Sequence, residues 1–348
     1  MNSRKALICS PARKYVLVDD AAIPKLQPDM MLCRVAAVAL NPADAKIIDY
    51  SPSPGSIGGE DFSGEVIRIG EKIKRFKVGD RVCGFAFGLN SNDKTTGAFS
   101  EYVVAAEDLT CKIPPDMEFE AAATLPLAVG TAGLALYQHL GLPWLRAEVG
   151  NSSFVLVSGG ATSTGVVAIQ LLKASGLHPI ATCSPENKAM LKSLGAVETF
   201  DYHSSTCGLE IRDYTSHTLE FVLDCITTSE TMAMCYEAIG SAGGEYVSLD
   251  PGSTHVKYTR RDISTDWVMA FTLFGQPVKL GGIYGRPAMP EYRQFAARLY
   301  ARAETMIEAG CLVPTRFETR TGGLARLEAG IEELRQGQSK SGKLVYPL

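Results

Sequence analysis

The sequence has no large excess of charge of either sign and no long apolar run. Its 34 Lys and Arg residues stand against 38 Asp and Glu residues, which leaves a net charge of −4. This balance gives no reason to expect binding to nucleic acid or to an anionic membrane surface. No apolar run approaches the roughly 20 residues of a membrane span. The apolar residues after Lys5 are also too few for a signal-peptide core, so we expect a cytoplasmic protein.

Clustered cysteines are also absent. The nine cysteines are odd in number, scattered and without a C-x-x-C pair. This distribution argues against a disulfide framework or a zinc knot and favours reduced, buried thiols. The length of 348 residues is enough for two domains with substantial cores.

The central segment 154–170, FVLVSGGATSTGVVAIQ, contains the most informative pattern. Phe154–Val157 is an apolar run suited to a buried strand, and the helical spacing that follows predicts a helix over 163–174. A strand, a glycine turn and a helix open a nucleotide-binding βαβ unit, in which the helix N-terminus receives a pyrophosphate. The match to G-x-G-x-x-G is imperfect, and an ordinary strand–turn–helix would look similar.

Seven consecutive positions of this turn are candidate phosphate contacts through their backbone or their hydroxyl groups. They are Ser158, Gly159, Gly160, Ala161, Thr162, Ser163 and Thr164. The four hydroxyls could donate to phosphate oxygens in place of the missing glycine contacts.

The next predicted strand, 178–183, indicates which nicotinamide cofactor is preferred. An NAD site would show Asp or Glu about 20 residues past the glycines. Here the strand ends in Cys183 and Ser184, with Lys188 four residues further on. A hydroxyl and a cation suit a 2′-phosphate and favour NADPH. Alternatively, Ser184 caps a helix that has Pro185 at its first position, and Lys188 is a solvated surface residue.

The alternation of strands and helices continues through a strand at 219–224, a helix at 229–239 and a strand at 244–249. This order predicts an α/β fold with a doubly wound parallel sheet, whose ligands lie at the carboxyl ends of the strands. The residues expected beside the cofactor are therefore Asp224, Cys225, Ile226, Ser248 and Leu249. Asp224 could instead cap the helix near Ser229.

The last predicted strand of this sheet is followed by Pro251 and a polar stretch, 253–266. Proline and charge at a sheet edge discourage pairing with a second chain. We therefore expect a monomer.

Residues 1–125 show a different pattern, with short strands predicted at 31–40, 58–67, 76–84 and 97–104. Closely spaced glycine turns separate these strands and suggest a small β-barrel-like domain. A helix over 125–140 then leads into the nucleotide-binding half.

Several segments resemble the medium-chain dehydrogenase/reductase superfamily: NPAD at 41–44, GGEDFSGEV at 58–66, VGDRVCG at 78–84, GAFSEYV at 97–103 and LPLAVGTAGLAL at 125–136. The resemblance covers nearly the whole chain, with these segments in the expected order. It implies a GroES-like, β-rich catalytic domain formed by 1–125 and 280–348, and a Rossmann NADPH-binding domain formed by 126–279.

The zinc ligands of that superfamily are missing. Asn41 stands where the zinc alcohol dehydrogenases have a Cys, and Gly58-Gly59-Glu60 stands where they have Gly-His-Glu. A catalytic zinc needs about three protein ligands, so no metal is expected. The structural zinc lobe is also missing. The chain therefore resembles the zinc-free quinone and enoyl reductases.

The later half is similar to the trans-acting enoyl reductases of fungal polyketide biosynthesis. The segments that carry this resemblance are IATCSPEN at 180–187, LDCIT at 223–227, AIGSAGGEYVSLDP at 238–251, STDW at 264–267 and YGRP at 284–287. The resemblance implies NADPH-dependent reduction of the α,β double bond of an enoyl thioester. Hydride would reach the β-carbon, negative charge would move to the thioester oxygen, and the α-carbon would then be protonated. The implied partner is the acyl carrier domain of a separate polyketide synthase.

The resemblance also implies roles for individual residues. Lys46 would lie near the nicotinamide ribose and the substrate carbonyl, and Gly130 and Thr131 would lie against the nicotinamide. Ser184, Lys188 and Tyr202 would hold the 2′-phosphate. Each has a structural alternative: a surface lysine for Lys46, helix packing for Thr131 and a partly buried strand-end tyrosine for Tyr202.

Two other functions stay open at this point, an NADPH quinone oxidoreductase and a non-catalytic NADPH-binding protein. For docking of an acidic carrier domain, the best basic candidates are the stretch 255–261 and Arg286. A solvated surface run explains these residues equally well.

Overall fold

The computed structural model describes residues 3–144, 154–338 and 342–348. The elements of its N-terminal part are β1 (Ser3–Cys9), β2 (Tyr15–Ala22), β3 (Met30–Ala39), α1 (Pro42–Tyr50), β4 (Asp61–Ile69), β5 (Arg81–Phe85), β6 (Tyr102–Ala106), β7 (Thr110–Lys112), α2 (Phe119–Ala122) and α3 (Pro126–Leu134).

Strands and helices alternate in the central part. They are β8 (Phe154–Ser158), α4 (Ser163–Ala174), β9 (His178–Cys183), α5 (Lys188–Leu194), β10 (Glu198–Asp201), α6 (Cys207–Tyr214), β11 (Phe221–Asp224), α7 (Ser229–Ala238), β12 (Gly244–Ser248), α8 (Thr254–Lys257) and β13 (Ile263–Trp267). The C-terminal part contains α9 (Pro290–Glu308), β14 (Phe317–Thr319), α10 (Leu327–Arg335) and β15 (Lys343–Pro347).

The chain forms two compact units, one of 1–130 with 271–348 and one of 131–270. Segment 271–279, which we assigned to the Rossmann domain, therefore belongs to the first unit. The physical reason is aromatic packing within that unit. Phe271 stacks on Phe87 with ring centroids 4.3 Å apart, and Phe274 packs on Phe85 at 4.9 Å.

The first unit is built on a mixed sheet. In its described residues the strand order is β14-β15-β3-β4-β5-β7, with β6 also paired to β3 and with β1 and β2 forming a separate hairpin. The C-terminal strand β15 pairs antiparallel with β3, so the end of the chain completes the sheet begun by its first third.

The second unit is built on a parallel sheet with the order β10-β9-β8-β11-β12-β13 in the described residues. Its four central strands, β9, β8, β11 and β12, are mainly apolar, as expected where both faces of a sheet are covered. Leu156, Ile180, Val222 and Tyr246, one from each of four strands, are fully buried.

The edge of this parallel sheet differs from our prediction. We took 244–249 as the last strand, but β13 pairs in parallel with β12 from Ile263 to Trp267. The sequence ISTDW is short and polar, so it carries no apolar strand signal. The premise of the monomer argument is therefore wrong, because Pro251 and its neighbours precede the edge strand.

The helix predicted over 125–140 is interrupted. Regular α-helix runs through α3 to Leu134, and a π-helical turn follows at Ala135–His139. Among the described residues, one helical stretch, Phe119–His139, is long and apolar enough to cross a membrane by composition. Our reading that no run approaches this length was therefore wrong, although 78% of the most apolar window is buried within the protein.

Candidate functional site

The glycine turn joins β8 to α4 and is held by its neighbours. Thr182 on β9 accepts the N–H of Gly159 at its hydroxyl, 3.0 Å, and the N–H of Gly160 at its carbonyl, 2.9 Å. Gly159 has φ +74°, a conformation that favours glycine. A Cβ on Gly165 would lie 2.5 Å from the Gly159 carbonyl oxygen, so glycine is required where the helix begins.

Thr162 is the N-cap of α4. Its hydroxyl accepts the Gly165 N–H at 3.0 Å and donates to the Gly159 carbonyl at 2.8 Å. Both bonds stay inside the turn, so the Thr162 hydroxyl stabilises the start of the helix and is committed before any ligand arrives. This differs from its predicted role as a phosphate donor.

The predicted phosphate contact of Ser158 stays a prediction. Its side chain is fully buried and lies beside the Cys235 thiol, where it contributes to the environment that shifts the pKa of that thiol. The half-buried side chains of Ser163 and Thr164 remain at the N-terminus of α4, whose dipole favours an anion.

The residues that follow β9 and β10 come together in space. The Ser184 hydroxyl lies 3.4 Å from the Tyr202 hydroxyl. Ser184 precedes Pro185 at the first position of a 3₁₀ turn, and its side chain makes no capping hydrogen bond. Ser184 therefore occupies the N-cap position that the alternative interpretation gave it, but its hydroxyl is not used in capping. Tyr202 directly follows β10 and is 48% exposed, so its ring is accessible to a ligand and the alternative of a partly buried strand-end tyrosine stays open.

Lys188 begins α5 beside this pair. The pKa of Asp201, at the end of β10, is lowered mainly by hydrogen bonds from His203, and the charge of Lys188 lowers it further. That charge also partly offsets the effect of burial, which raises the pKa of Cys183. Cys183 itself is buried. A hydroxyl, a phenol and an ammonium group are thus grouped at the ends of two adjacent strands.

Asp224 is a structural residue. Its Oδ1 accepts the N–H groups of Ile226 and Thr227, and its Oδ2 accepts the hydroxyls of Thr231 and Tyr246. All four bonds organise the loop that leads from β11 into α7. This role is similar to the alternative that we considered, in which Asp224 caps the helix near Ser229. The carboxylate is fully buried, and its predicted place beside the cofactor stays a prediction.

The neighbours of Asp224 lie nearer the glycine turn. Cys225 donates its N–H to the Ser158 carbonyl at 3.0 Å, and a Cβ on Gly159 would meet Ile226 at 2.7 Å. The strand ends β8 and β11 are therefore adjacent, as expected. On β12, the buried Ser248 hydroxyl donates to the Asp250 carbonyl, and Leu249 donates its N–H to the Thr227 hydroxyl.

Gly130 and Thr131 lie within α3. A Cβ on Gly130 would meet the Tyr300 hydroxyl at 2.8 Å, and that hydroxyl donates to the Pro126 carbonyl. Glycine is therefore needed here for helix packing, whatever else the position does. Thr131 is buried, with 8% of its surface exposed.

In the first unit, Lys46 is exposed on α1. The helix begins at Asn41, whose N–H donates to Asp44 Oδ2 at 2.7 Å, and Pro42 is its first residue. Behind the helix lies a group of buried charges formed by Asp44, Glu60, Asp61 and Lys343.

Asp61 is the best-satisfied member of this buried group. Lys343 Nζ lies 2.5 Å from its Oδ2, Asn41 Nδ2 donates to the same oxygen at 2.9 Å, and the Leu127 N–H donates to Oδ1 at 2.7 Å. Sequence reasoning noted Glu60 but missed Asp61 and Lys343. A single lysine near the C-terminus carries no signal that it reaches a strand formed 282 residues earlier.

The described residues contain no group of three or more His, Cys, Asp or Glu side chains arranged to hold a metal ion. By the resemblance described above, Asn41 and Gly59 would stand where the zinc alcohol dehydrogenases have two of their zinc ligands. The residues present do not fit a catalytic zinc ion.

The comparisons with known proteins agree with this architecture. The alcohol dehydrogenase GroES-like domain family model matches residues 27–115, and the zinc-binding dehydrogenase model matches 163–263. A trans-enoyl reductase of Gibberella fujikuroi is 52% identical over 344 residues, which cover 99% of each chain. A trans-enoyl reductase of a Penicillium species is 47% identical over 344 residues, covering 99% of this chain and 98% of the relative.

The chain belongs to the trans-enoyl reductase family. The family, the α/β fold class with its GroES-like and Rossmann-like parts, and the oxidoreductase class that we predicted are confirmed. Enzymes of this family use a nicotinamide cofactor, and the glycine turn at the N-terminus of α4 fits one. The zinc in the name of the second family model has no matching ligand set in the described residues.

Solved structures show the same fold. CurK enoyl reductase superposes with a TM-score of 0.76 at 19% identity, covering 99% of both chains. A quinone oxidoreductase of Pseudomonas syringae superposes with a TM-score of 0.74 at 23% identity, covering 99% of this chain and all of the other. Because both enzyme classes share this fold, the fold alone does not choose between them.

Proposed function

We propose that this protein is a trans-acting enoyl reductase that uses NADPH to reduce the α,β double bond of a polyketide enoyl thioester. The substrate is held on the acyl carrier domain of a separate polyketide synthase. The observation that carries this proposal is the 52% identity, over essentially the full length of both chains, to a trans-enoyl reductase.

NADPH is proposed over NADH because Ser184, Lys188 and Tyr202 are grouped beside the end of β9. An NAD enzyme places an acidic residue at that strand end to bind the ribose 2′-hydroxyl. Here the strand ends in a buried Cys183 and a hydroxyl. A lysine ammonium group and two hydroxyls satisfy a 2′-phosphate by charge and hydrogen bonding.

When bound, the cofactor supplies hydride to the β-carbon of the substrate. The protein's contribution is to orient the enoyl thioester and to stabilise the negative charge that develops on its oxygen. Lys46, an exposed cation on α1, is proposed for that second task. Because Asn41, Pro42 and Asp44 fix the first turn of α1, the base of Lys46 is held in place.

Carrier docking is proposed through part of the basic stretch 255–261. Arg260 is committed to the fold, because it donates to the carbonyls of Tyr236, Ile239 and Gly240 and pairs with Asp262. Lys257 and Arg261 are exposed around Tyr258, which is 66% exposed. These two cations provide the positive charge that an acidic carrier domain would meet first.

The test offers NADPH with three substrates: an enoyl pantetheine thioester, a quinone and a saturated thioester. We expect NADPH oxidation with the enoyl thioester only, and activity that survives a strong chelator. Oxidation with the quinone alone would replace the proposal with a quinone oxidoreductase. Binding of NADPH without oxidation in any arm would indicate a non-catalytic protein.

A further inference from the structure

Two carboxyl groups are buried against each other in the first unit. Asp44 is fully buried on α1, and Glu60 is 1% exposed in the turn before β4. The two side chains lie within hydrogen-bond reach of each other. No donor among the described residues reaches Asp44 Oδ1 or Glu60 Oε2.

Two ionised carboxylates have only acceptors, so a hydrogen bond between them requires a proton on one of them. The neighbouring cation cannot substitute for that proton. Lys343 is committed to Asp61 at 2.5 Å and also donates to the Thr124 carbonyl. Full ionisation would therefore place three buried negative charges beside one positive charge.

We propose that Asp44 and Glu60 share a single proton in the native protein, and that loss of this proton at alkaline pH loosens the first turn of α1. Asp44 closes that turn, because its Oδ2 accepts the Asn41 N–H at 2.7 Å. Lys46 follows two residues later on the same helix. The expected effect on turnover rests on the proposed function, in which Lys46 stabilises the negative charge that develops on the substrate. The shared proton itself does not depend on the proposed function.

The electrostatics agree with this geometry. Burial raises the pKa of Asp44 to about 7, and burial followed by the charge of Asp44 raises the pKa of Glu60 well above its ordinary value. The other titratable or charged groups around the pair are Asp61 on β4, Lys343 on β15, Tyr15 on β2, Cys9 on β1 and Glu328 on α10.

The direction of the pH effect follows from the raised pKa values. The folded protein holds a proton that the unfolded chain releases above about pH 4. The stabilisation from the pair is therefore complete below about pH 4, starts to fall as the carboxyl groups of the unfolded chain ionise, and keeps falling until the shared proton leaves the folded protein at the raised pKa of Glu60. For one linked proton, the unfolding equilibrium constant rises by up to about tenfold per pH unit.

The first experiment measures urea unfolding between about pH 5 and pH 9 for the wild-type protein, Glu60→Gln and Glu328→Gln. Gln at position 60 can donate an N–H to Asp44 Oδ1 without a titrating proton. We expect Glu60→Gln to lose most of the pH dependence. Glu328 is the matched control, because burial also raises its pKa but it lies beside Tyr15 at the edge of the cluster. Equal slopes for the wild-type protein and Glu60→Gln would overturn the proposal.

The second experiment needs no variant to fold well. Infrared difference spectra of the wild-type protein, recorded across the same pH range, should contain the C=O stretch of a protonated, buried carboxylic acid that disappears at alkaline pH. Its absence at neutral pH would refute the shared proton whether or not the protein reduces enoyl thioesters. Turnover that falls at alkaline pH in the wild-type protein but not in Glu60→Gln would support the link to α1. Identical pH profiles would remove that link.

Discussion

Lys343 Nζ lies 2.5 Å from Asp61 Oδ2, and both side chains are almost completely buried. The ion pair joins the C-terminal strand β15 to β4, two strands that flank β3 in the sheet. Through Asn41 and Leu127, the same carboxylate also fixes the start of α1 and the start of α3. One buried carboxylate thus organises the segments that carry Lys46 and Gly130.

The Lys343→Met variant tests this pair. Removing the ammonium group leaves Asp61 buried without its counter-charge, so we expect a loss of about 3–5 kcal/mol in the free energy of unfolding. Lys192→Met is the control, because Lys192 pairs with Glu198 on the surface and should cost less than about 1 kcal/mol. Similar effects of the two substitutions in chemical denaturation would contradict the structural role of Lys343.

The Thr162→Ala variant separates capping from phosphate binding. We expect a loss of about 0.5–2 kcal/mol in stability, because the N-cap of α4 is removed. The dissociation constant for NADPH, measured on the folded protein, should change little, since the hydroxyl is already engaged within the turn. Thr162→Ser should restore stability. A large loss of NADPH affinity in a variant of unchanged stability would return Thr162 to the phosphate site.

Part of the fold and of the candidate site was predictable from the sequence, because the sequence patterns that indicate it are local. The change from an apolar run to helical spacing at Ser158–Gly160 predicted β8 and α4, and the α4 bounds match the prediction. The strand β13 was missed because Ile263–Trp267 has neither alternation nor an apolar run. The roles of Ser158 and Thr162 also depend on contacts that residue type alone does not reveal.

The group of buried charges could not be predicted from the sequence. Asp44, Glu60 and Asp61 resemble ordinary polar residues near turns, and Lys343 is distant in the sequence. Burial turns them into one electrostatic unit. Asp224 is the intermediate case, since capping was one of two roles considered and four hydrogen bonds place it in the loop that leads into α7.

Lys188→Ala tests the choice of cofactor. If Lys188 binds the 2′-phosphate, the variant should lose about 1.5–3 kcal/mol of NADPH binding and little NADH binding. Lys192→Ala, one turn further along α5, provides the matched control. Equal weakening for both cofactors, or none for either, would show that Lys188 does not read the 2′-phosphate.

Lys46→Ala tests the proposed role in charge stabilisation. The charge on the thioester oxygen appears only as hydride is transferred, so kcat should fall more than the affinity for NADPH. Lys46→Arg keeps the charge and should recover part of kcat. If the entire defect lies in cofactor affinity, Lys46 is a cofactor ligand only.

The central claim is that the protein reduces an enoyl chain on a partner's carrier domain. The most direct measurement compares kcat/KM for one enoyl chain on the cognate carrier domain and on a short pantetheine mimic, with NADPH, at several salt concentrations. We expect both thioesters to yield the saturated product, with a gain for the carrier that shrinks as salt rises. Reduction of a quinone with neither thioester reduced would contradict the account, and a carrier that gives no gain at any salt concentration would contradict docking through Lys257 and Arg261.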